Sequence, residues 1–249
     1  MQQGFFYISY VRAMLHWKTS MPTRMFSTLR FHERLPAIAV FISNCQISSM
    51  VPPRSTFILK LSKFYPVHHY GGCSDPLLVG GQQGPMTHLL SPVSANKTAH
   101  FSDEFPGALE TNFGADGNHN PGKLSVLSAY RYTFTAENSF GMDYVTEKVY
   151  DALASGAVPI YLGAPNFIDF IPAAAAVINF RDFSSIEAVA NYLRVLDNAE
   201  DKWLQHHEWR SRPPPKNIVD LQSLANYKAV TLACRICGCV MGILCPSRV

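Results

Sequence analysis

The chain has 249 residues, 47% of them hydrophobic and 16% charged, a balance that suits a folded protein with a sizeable core and excludes a disordered one. Its net charge is only +3, and no stretch combines dense Lys/Arg with spaced aromatics, so nucleic acid is not an expected partner. No run approaches the roughly 18 apolar residues of a membrane span, and the opening MQQGFFYISYVRAMLHWKTSM is interrupted by Arg12, His16 and Lys18, which argues against a signal peptide.

Residues 1–35 show no clean period. The apolar run at 37–42 in LPAIAVFISNC has the pattern of a buried parallel strand, with Ser43-Asn44-Cys45 at its carboxyl edge. VPPRSTFILKLSKFY predicts a helix after Pro52-Pro53, with Phe57, Leu61 and Phe64 on one face. PVHHYGG reads as the next short strand and its exit turn. Residues 71–125 are rich in Gly, Pro, Ser and Asn and read as a long loop or insertion.

Order returns at AYRYTFTAENS, where alternating Tyr130, Tyr132 and Phe134 predict a strand. A helix is predicted over 144–155, with Val145, Val149 and Ala152/Leu153 as its stripe and Gly156 just past its end. AVPIYLG is a further strand stopped by Gly163-Ala164-Pro165, and AAAAVINF another. SSIEAVANYLRVLDN predicts an amphipathic helix with Ser184 and Glu187 at capping-box spacing. AEDKWLQHHEWR, again helical, runs into Pro213-Pro214-Pro215. The alternation of strands and helices predicts an α/β fold with a parallel sheet covered by helices, and such sheets bind ligands beyond the carboxyl ends of their strands.

Polar groups gather at those ends. Asn138 and Ser139 follow one strand, and Asp143, Tyr144 and Thr146 lead to Glu147 and Lys148 in the first turn of the next helix. Free backbone N–H groups and the helix dipole favour a phosphate there, and Lys148 adds positive charge. Glu147, repelled by a diphosphate, suits sugar hydroxyls or bracing of Lys148, while Tyr144 offers a ring and a hydroxyl. Each residue also has a plain structural reading: Asp143 as an N-cap, Glu147 as a first-turn acid, Asn138 as a turn residue and Arg54 as a solvated arginine. The case for a phosphate-bearing ligand rests on their convergence.

Neither GxGxxG nor GxxxxGK[ST] is present, and there is no Asp-x-Asp to hold a metal-bridged diphosphate. Electrostatic help falls to Lys148, Arg54 and the helix terminus. The pairs His68-His69 and His206-His207 form no HExxH, and metal binding is the minor reading of each. Near the end, Cys234 and Cys237 form CxxC, followed by Cys239 and Cys245. Structural disulfides are the favoured reading over zinc, a redox pair or free thiols, because the spacing is crowded for zinc and no βαβ context surrounds the CxxC. The sequon Asn96-Lys97-Thr98 is compatible with a lumenal protein.

The long stretch YRYTFTAENS…DYVTEKVYDALASGAVPIYLGAPNFIDFIP, followed by VINFRDFSS, resembles the donor-binding region of the α-1,3/α-1,4-fucosyltransferases, the GDP-fucose-dependent glycosyltransferase family 10. FISNC with Arg54 is similar to an earlier Ser-Asn-Cys…Arg segment of that family, and VHHYGGC to its Gly-x-Cys element. The resemblance implies the Rossmann-like donor domain of a two-domain GT-B enzyme at 36–212, with the insertion at 74–125. Residues 1–35 would be a remnant of the acceptor domain or an irregular segment, and 213–249 a tail carrying the cysteine cluster, whose CRIC resembles a family cysteine pair. It assigns Arg54 and Lys148 to the diphosphate of GDP-fucose. Asn138, Tyr144 and Glu147 go to the nucleotide or fucose side, and Glu147 and Lys148 to catalysis. Transfer would invert fucose C1 and form an α-1,3 or α-1,4 linkage to GlcNAc in an N-glycan or other glycan, without an obligate metal, though Mn²⁺ stimulates some members.

Family members are mostly Golgi type II membrane enzymes, so an anchor and most of an acceptor domain are expected to be missing from these 249 residues. The general base belongs to that acceptor domain. Glu33 lies too close to the first strand for the role, and Ala136 stands where the family usually has Phe. The alternative reading is a GDP-fucose-binding paralogue or fragment that does not transfer.

Overall fold

A computed structural model describes residues 30–42, 54–70, 82–83, 85 and 121–220. The cysteine cluster, the sequon at Asn96 and the Ser43-Asn44-Cys45 edge lie outside these residues. The elements are β1 (Leu35–Phe41), α1 (Arg54–Leu61), β2 (Val67–Tyr70), β3 (Gln82–Gln83), α2 (Pro121–Ser128) and β4 (Tyr130–Ala136), then α3 (Glu147–Ser155), β5 (Val158–Leu162), β6 (Ile178–Asn179), α4 (Ile186–Asp197) and α5 (Glu200–Gln205).

All strand pairs are parallel, and the spatial order is β3-β2-β1-β4-β5-β6. This is the Rossmann order, in which the chain reverses direction across the sheet between β1 and β4 and opens a crevice beyond their carboxyl ends. β4 and β5 are buried along their whole length, as expected of strands covered on both faces. One face packs Ile38, Val40, Tyr132, Phe134 and Ile160 against Ile58 and Leu61 of α1, Val189 and Leu193 of α4, and Trp203 of α5. The other face carries α2, through Val126 and Leu127, and α3, through Val149, Tyr150 and Leu153. The β1–β4 register shifts between Leu35 and Ile38, at Pro36, whose missing N–H cannot serve an unbroken ladder.

Several local expectations need correction. Part of the expected loop is ordered: α2 begins at Pro121, and β3 pairs with β2. α1 stops at Leu61, so its buried residues are Arg54, Ile58 and Leu61, and Phe64 is exposed beyond the helix. The alanine run before Val177 forms a 3₁₀ turn over Ala174–Ala176, leaving a strand of only Ile178–Asn179. α4 is capped by Ser185, whose hydroxyl accepts from the Ala188 amide at 3.0 Å, one residue later than the capping-box spacing implied. α3 starts at Glu147, not 144; Val145 shares the apolar stripe because the approaching loop buries it.

Candidate functional site

The carboxyl ends of β1 and β4, with the starts of α1 and α3, surround the crevice at the switch point. Arg54 is the first residue of α1 and is buried. A cation at a helix amino terminus opposes the helix dipole at a cost of about 0.3–1 kcal/mol, so its position calls for another partner. It donates to Asn138 Oδ1, immediately beyond β4. Burial lowers the Arg54 pKa below its ordinary value, while the fields of Glu137, Tyr144 and Glu147 push it back up. Arg54 and Asn138, far apart in sequence, thus meet beyond the sheet, within electrostatic reach of Glu137, Tyr144 and Glu147.

Lys148 lies in the first turn of α3, beside Glu147. Its Nζ donates to Thr146 Oγ1 at 2.7 Å and to Glu137 Oε2 at 3.2 Å, and pairs with Glu147 Oε1 at 3.2 Å. Three acceptors match the three hydrogens of the ammonium group. Burial works against the Lys148 charge, but Glu137 and Glu147 outweigh it and hold the pKa above its ordinary value. Burial likewise opposes ionisation of Glu147, yet Lys148 and Lys123 outweigh it and keep that carboxyl below its usual range. Both groups are charged at neutral pH.

Glu137 went unassigned in the sequence reading. Its backbone continues the β4–β5 ladder by donating to Leu162 O at 2.9 Å, and its side chain is wholly buried. Oε1 accepts from the Thr146 amide at 2.8 Å, and Oε2 from the Thr146 hydroxyl at 2.7 Å. A carboxylate of the chain therefore already engages the amino end of α3, where a phosphate was expected to find free amides. Thr146 is the N-cap residue, and its side chain makes no capping hydrogen bond because it is committed to Glu137 and Lys148. Asp143 is not the cap. It adopts φ 62° and is pinned by Asn166, which accepts from its amide at 2.9 Å and donates to its carboxylate at 2.8 Å. Asp is among the few residues that tolerate this left-handed backbone.

The backbone opposite leaves room for Glu137. A Cβ on Gly163 would collide with the Tyr161 hydroxyl and approach Glu137 Cγ at 2.6 Å. Gly163→Ala should therefore cost about 1–3 kcal/mol of stability, as overpacking in a close-packed site does. Chemical denaturation with an unchanged midpoint would refute this.

A small open pocket at the switch point is lined by Phe41, Ile42, Thr135, Ala136, Lys123 and Lys148. Lys123 of α2 also pairs with Asp151 at 2.6 Å. The two lysines at its wall are each paired with carboxylates, Lys123 with Asp151 and Lys148 with Glu137 and Glu147. The histidine pairs stand apart from this chemistry. His69 is buried on β2 with neither ring nitrogen hydrogen-bonded. His206 bonds to Ala175 O at 2.6 Å, and His207 packs on Trp203. Among the described residues, no group of three or more His, Cys, Asp or Glu side chains could hold a metal ion, and no helix is long and apolar enough to cross a membrane. Glu33 precedes β1 at the opposite end of the sheet, roughly 20 Å of strand away from the crevice.

The strand order and the charged crevice define a Rossmann-like α/β domain. Residues 107–242 match the family model described as glycosyltransferase family 10 (fucosyltransferase) C-term, and the chain belongs to that family. It is 25% identical over 204 residues to the GDP-fucose protein O-fucosyltransferase 3 of Gallus gallus, covering 82% of this chain and 36% of the relative. It is 29% identical over 191 residues to an alpha-(1,4)-fucosyltransferase of Arabidopsis thaliana, covering 76% and 42%. A crystal structure of an alpha1,3-fucosyltransferase with GDP-fucose superposes with a TM-score of 0.48 at 21% identity, over 80% of this chain and 49% of the other. The chain thus spans well under half the length of these curated relatives.

Proposed function

We propose that this chain is the GDP-fucose-binding half of a family 10 fucosyltransferase. The observation that carries the reading is the contact of Arg54 with Asn138 near the β1–β4 switch point, with the Glu147–Lys148 pair and Tyr144 within electrostatic reach. Arg54 and Lys148 would take the diphosphate. Of the three groups that hold Lys148, Glu147 is the most replaceable acid, with 30% of its side chain exposed against none for Glu137. A phosphate oxygen would displace Glu147 from Lys148 and leave its carboxylate to accept hydrogen bonds from fucose hydroxyls. Asn138, already oriented by Arg54, and Tyr144 would line the nucleotide or sugar side.

In transfer, an acceptor hydroxyl oxygen attacks fucose C1 from the face opposite GDP. Its proton passes to a general base as the C1–O bond breaks, and the bond electrons leave with GDP. Arg54 and Lys148 stabilise the charge that grows on the departing diphosphate. The base is assigned to a partnering acceptor domain. A GlcNAc-containing glycan, fucosylated in α-1,3 or α-1,4 linkage in the Golgi lumen, is the proposed acceptor. The protein O-fucosyltransferase name of one relative supports a second reading, in which a protein hydroxyl takes that place. Binding of GDP-fucose without transfer is the reading for this chain alone.

Calorimetry with GDP and GDP-fucose tests the donor assignment. The folded chain should bind both, and absence of binding would overturn it. Glu147→Gln should keep GDP affinity within about twofold while abolishing any preference for GDP-fucose. Equal loss of both affinities would remove Glu147 from the sugar side.

A further inference from the structure

We infer that Glu137, through Thr146, is the positioning residue that aims Lys148 at the donor diphosphate, an inference that rests on the donor-binding reading above. Glu137 is a fully buried carboxylate whose backbone is fixed in the β4–β5 ladder. Its two oxygens divide their work. Oε1 fixes the loop before α3 through the Thr146 amide, and Oε2 fixes the cation through the Thr146 hydroxyl and Lys148 Nζ. Thr146 Oγ1 closes the triangle by donating to Glu137 and accepting from Lys148. Because Glu137 is buried and Glu147 is partly exposed, only the Glu147 arm can yield to an incoming phosphate at low cost. The Glu137–Thr146 arm stays in place and sets where the ammonium group sits when the ligand arrives. The missing Cβ at Gly163 is part of the same construction, since a side chain there would push against Glu137 Cγ.

Glutamine cannot substitute for this carboxylate. If its oxygen accepts from the Thr146 amide, its NH₂ faces Lys148 and the Thr146 hydroxyl. If it flips, the NH₂ faces the Thr146 amide. One arm always meets donor with donor, so either Lys148 loses its buried acceptor or the loop that carries Thr146 loses its anchor.

A double-mutant cycle on GDP affinity by calorimetry tests this, since coupling isolates what one residue does through another. Glu137→Gln should weaken GDP binding about tenfold in the otherwise native chain and less than twofold in a Lys148→Ala background. An equal loss in both backgrounds would mean that Glu137 only supports the fold, and no loss in the native background would also overturn the role. Circular dichroism establishes that each variant is folded. Should Glu137→Gln fail to fold, Thr146→Val carries the same comparison. It retains shape and the amide but removes the bridging hydroxyl, and should cost three- to fivefold only where Lys148 is present. A folded native chain that does not bind GDP would overturn the donor reading and this role with it, whereas GDP binding with additive losses would overturn the positioning role alone.

Discussion

Lys148→Ala and Arg54→Ala should each weaken GDP binding by about 1.5–3 kcal/mol, the size of one lost charge-assisted contact, or roughly ten- to hundredfold in dissociation constant. The two variants fail differently in the free protein, which helps to separate binding from folding. Removing Lys148 leaves Glu137 buried without its cation, and breaking such a pair from one side commonly costs about 3–5 kcal/mol of stability. Removing Arg54 relieves an unfavourable charge at the start of α1 but removes one hydrogen bond to Asn138. A strong stability loss is therefore expected at Lys148 and a smaller one at Arg54, with comparable losses of GDP affinity. Arg54→Lys should recover only part of the binding, because a compact ammonium lacks the planar fork of donors. Titration of GDP into each variant, beside its denaturation curve, gives both quantities. Unchanged GDP affinity in a folded Arg54→Ala variant would remove Arg54 from the site.

The carboxyl edge of the sheet was legible in the sequence for a simple reason. Strands buried on both faces are continuous apolar runs, and the residues where those runs stop are the residues at the sheet edge. That logic located β1 and β5, while alternating Tyr130, Tyr132 and Phe134 located β4 and, beyond its end, Asn138. It failed where periodicity and burial part company. Val145 is buried by a loop yet continues the stripe of α3, which drew the expected helix start three residues early. The alanines at 174–176 are apolar, but they form a tight turn and not a strand.

Glu137 escaped for a different reason. Its partners lie nine and eleven residues ahead, beyond a loop that folds back through the left-handed Asp143 and its clasp to Asn166. No local spacing rule covers that return. The available clue was chemical: a carboxylate at the very end of a wholly buried strand needs partners, and a lysine stands in the first turn of the following helix. Gly163 gave a similar partial signal. It was read as the stop of β5, whereas its lack of a side chain also makes room for Glu137 and Tyr161.

The 249-residue chain, produced alone, should bind GDP-fucose and transfer fucose poorly or not at all. The groups near the switch point suit the proposed donor role, with two cations, a partly exposed carboxylate and an amide among them. None is placed to take a proton from an acceptor. Glu147 is held ionised by Lys148 and Lys123, and Glu33 lies at the far end of the sheet. Holding two reactants in line can lower a barrier by roughly 7–11 kcal/mol, so an acceptor-binding face is expected to matter more than any single donor contact. General-base catalysis would account for a further hundred- to ten-thousandfold, as an order of magnitude. The assay compares the isolated chain with a longer one that includes an acceptor domain, using GDP-fucose with GlcNAc-containing glycans and, separately, folded protein acceptors. The longer chain should turn over one acceptor class, which would also decide between a glycan and a protein hydroxyl. Robust transfer by the 249-residue chain itself would overturn the prediction and require a general base within it, while turnover by neither chain, with donor binding intact, would favour a GDP-fucose-binding protein without transferase activity.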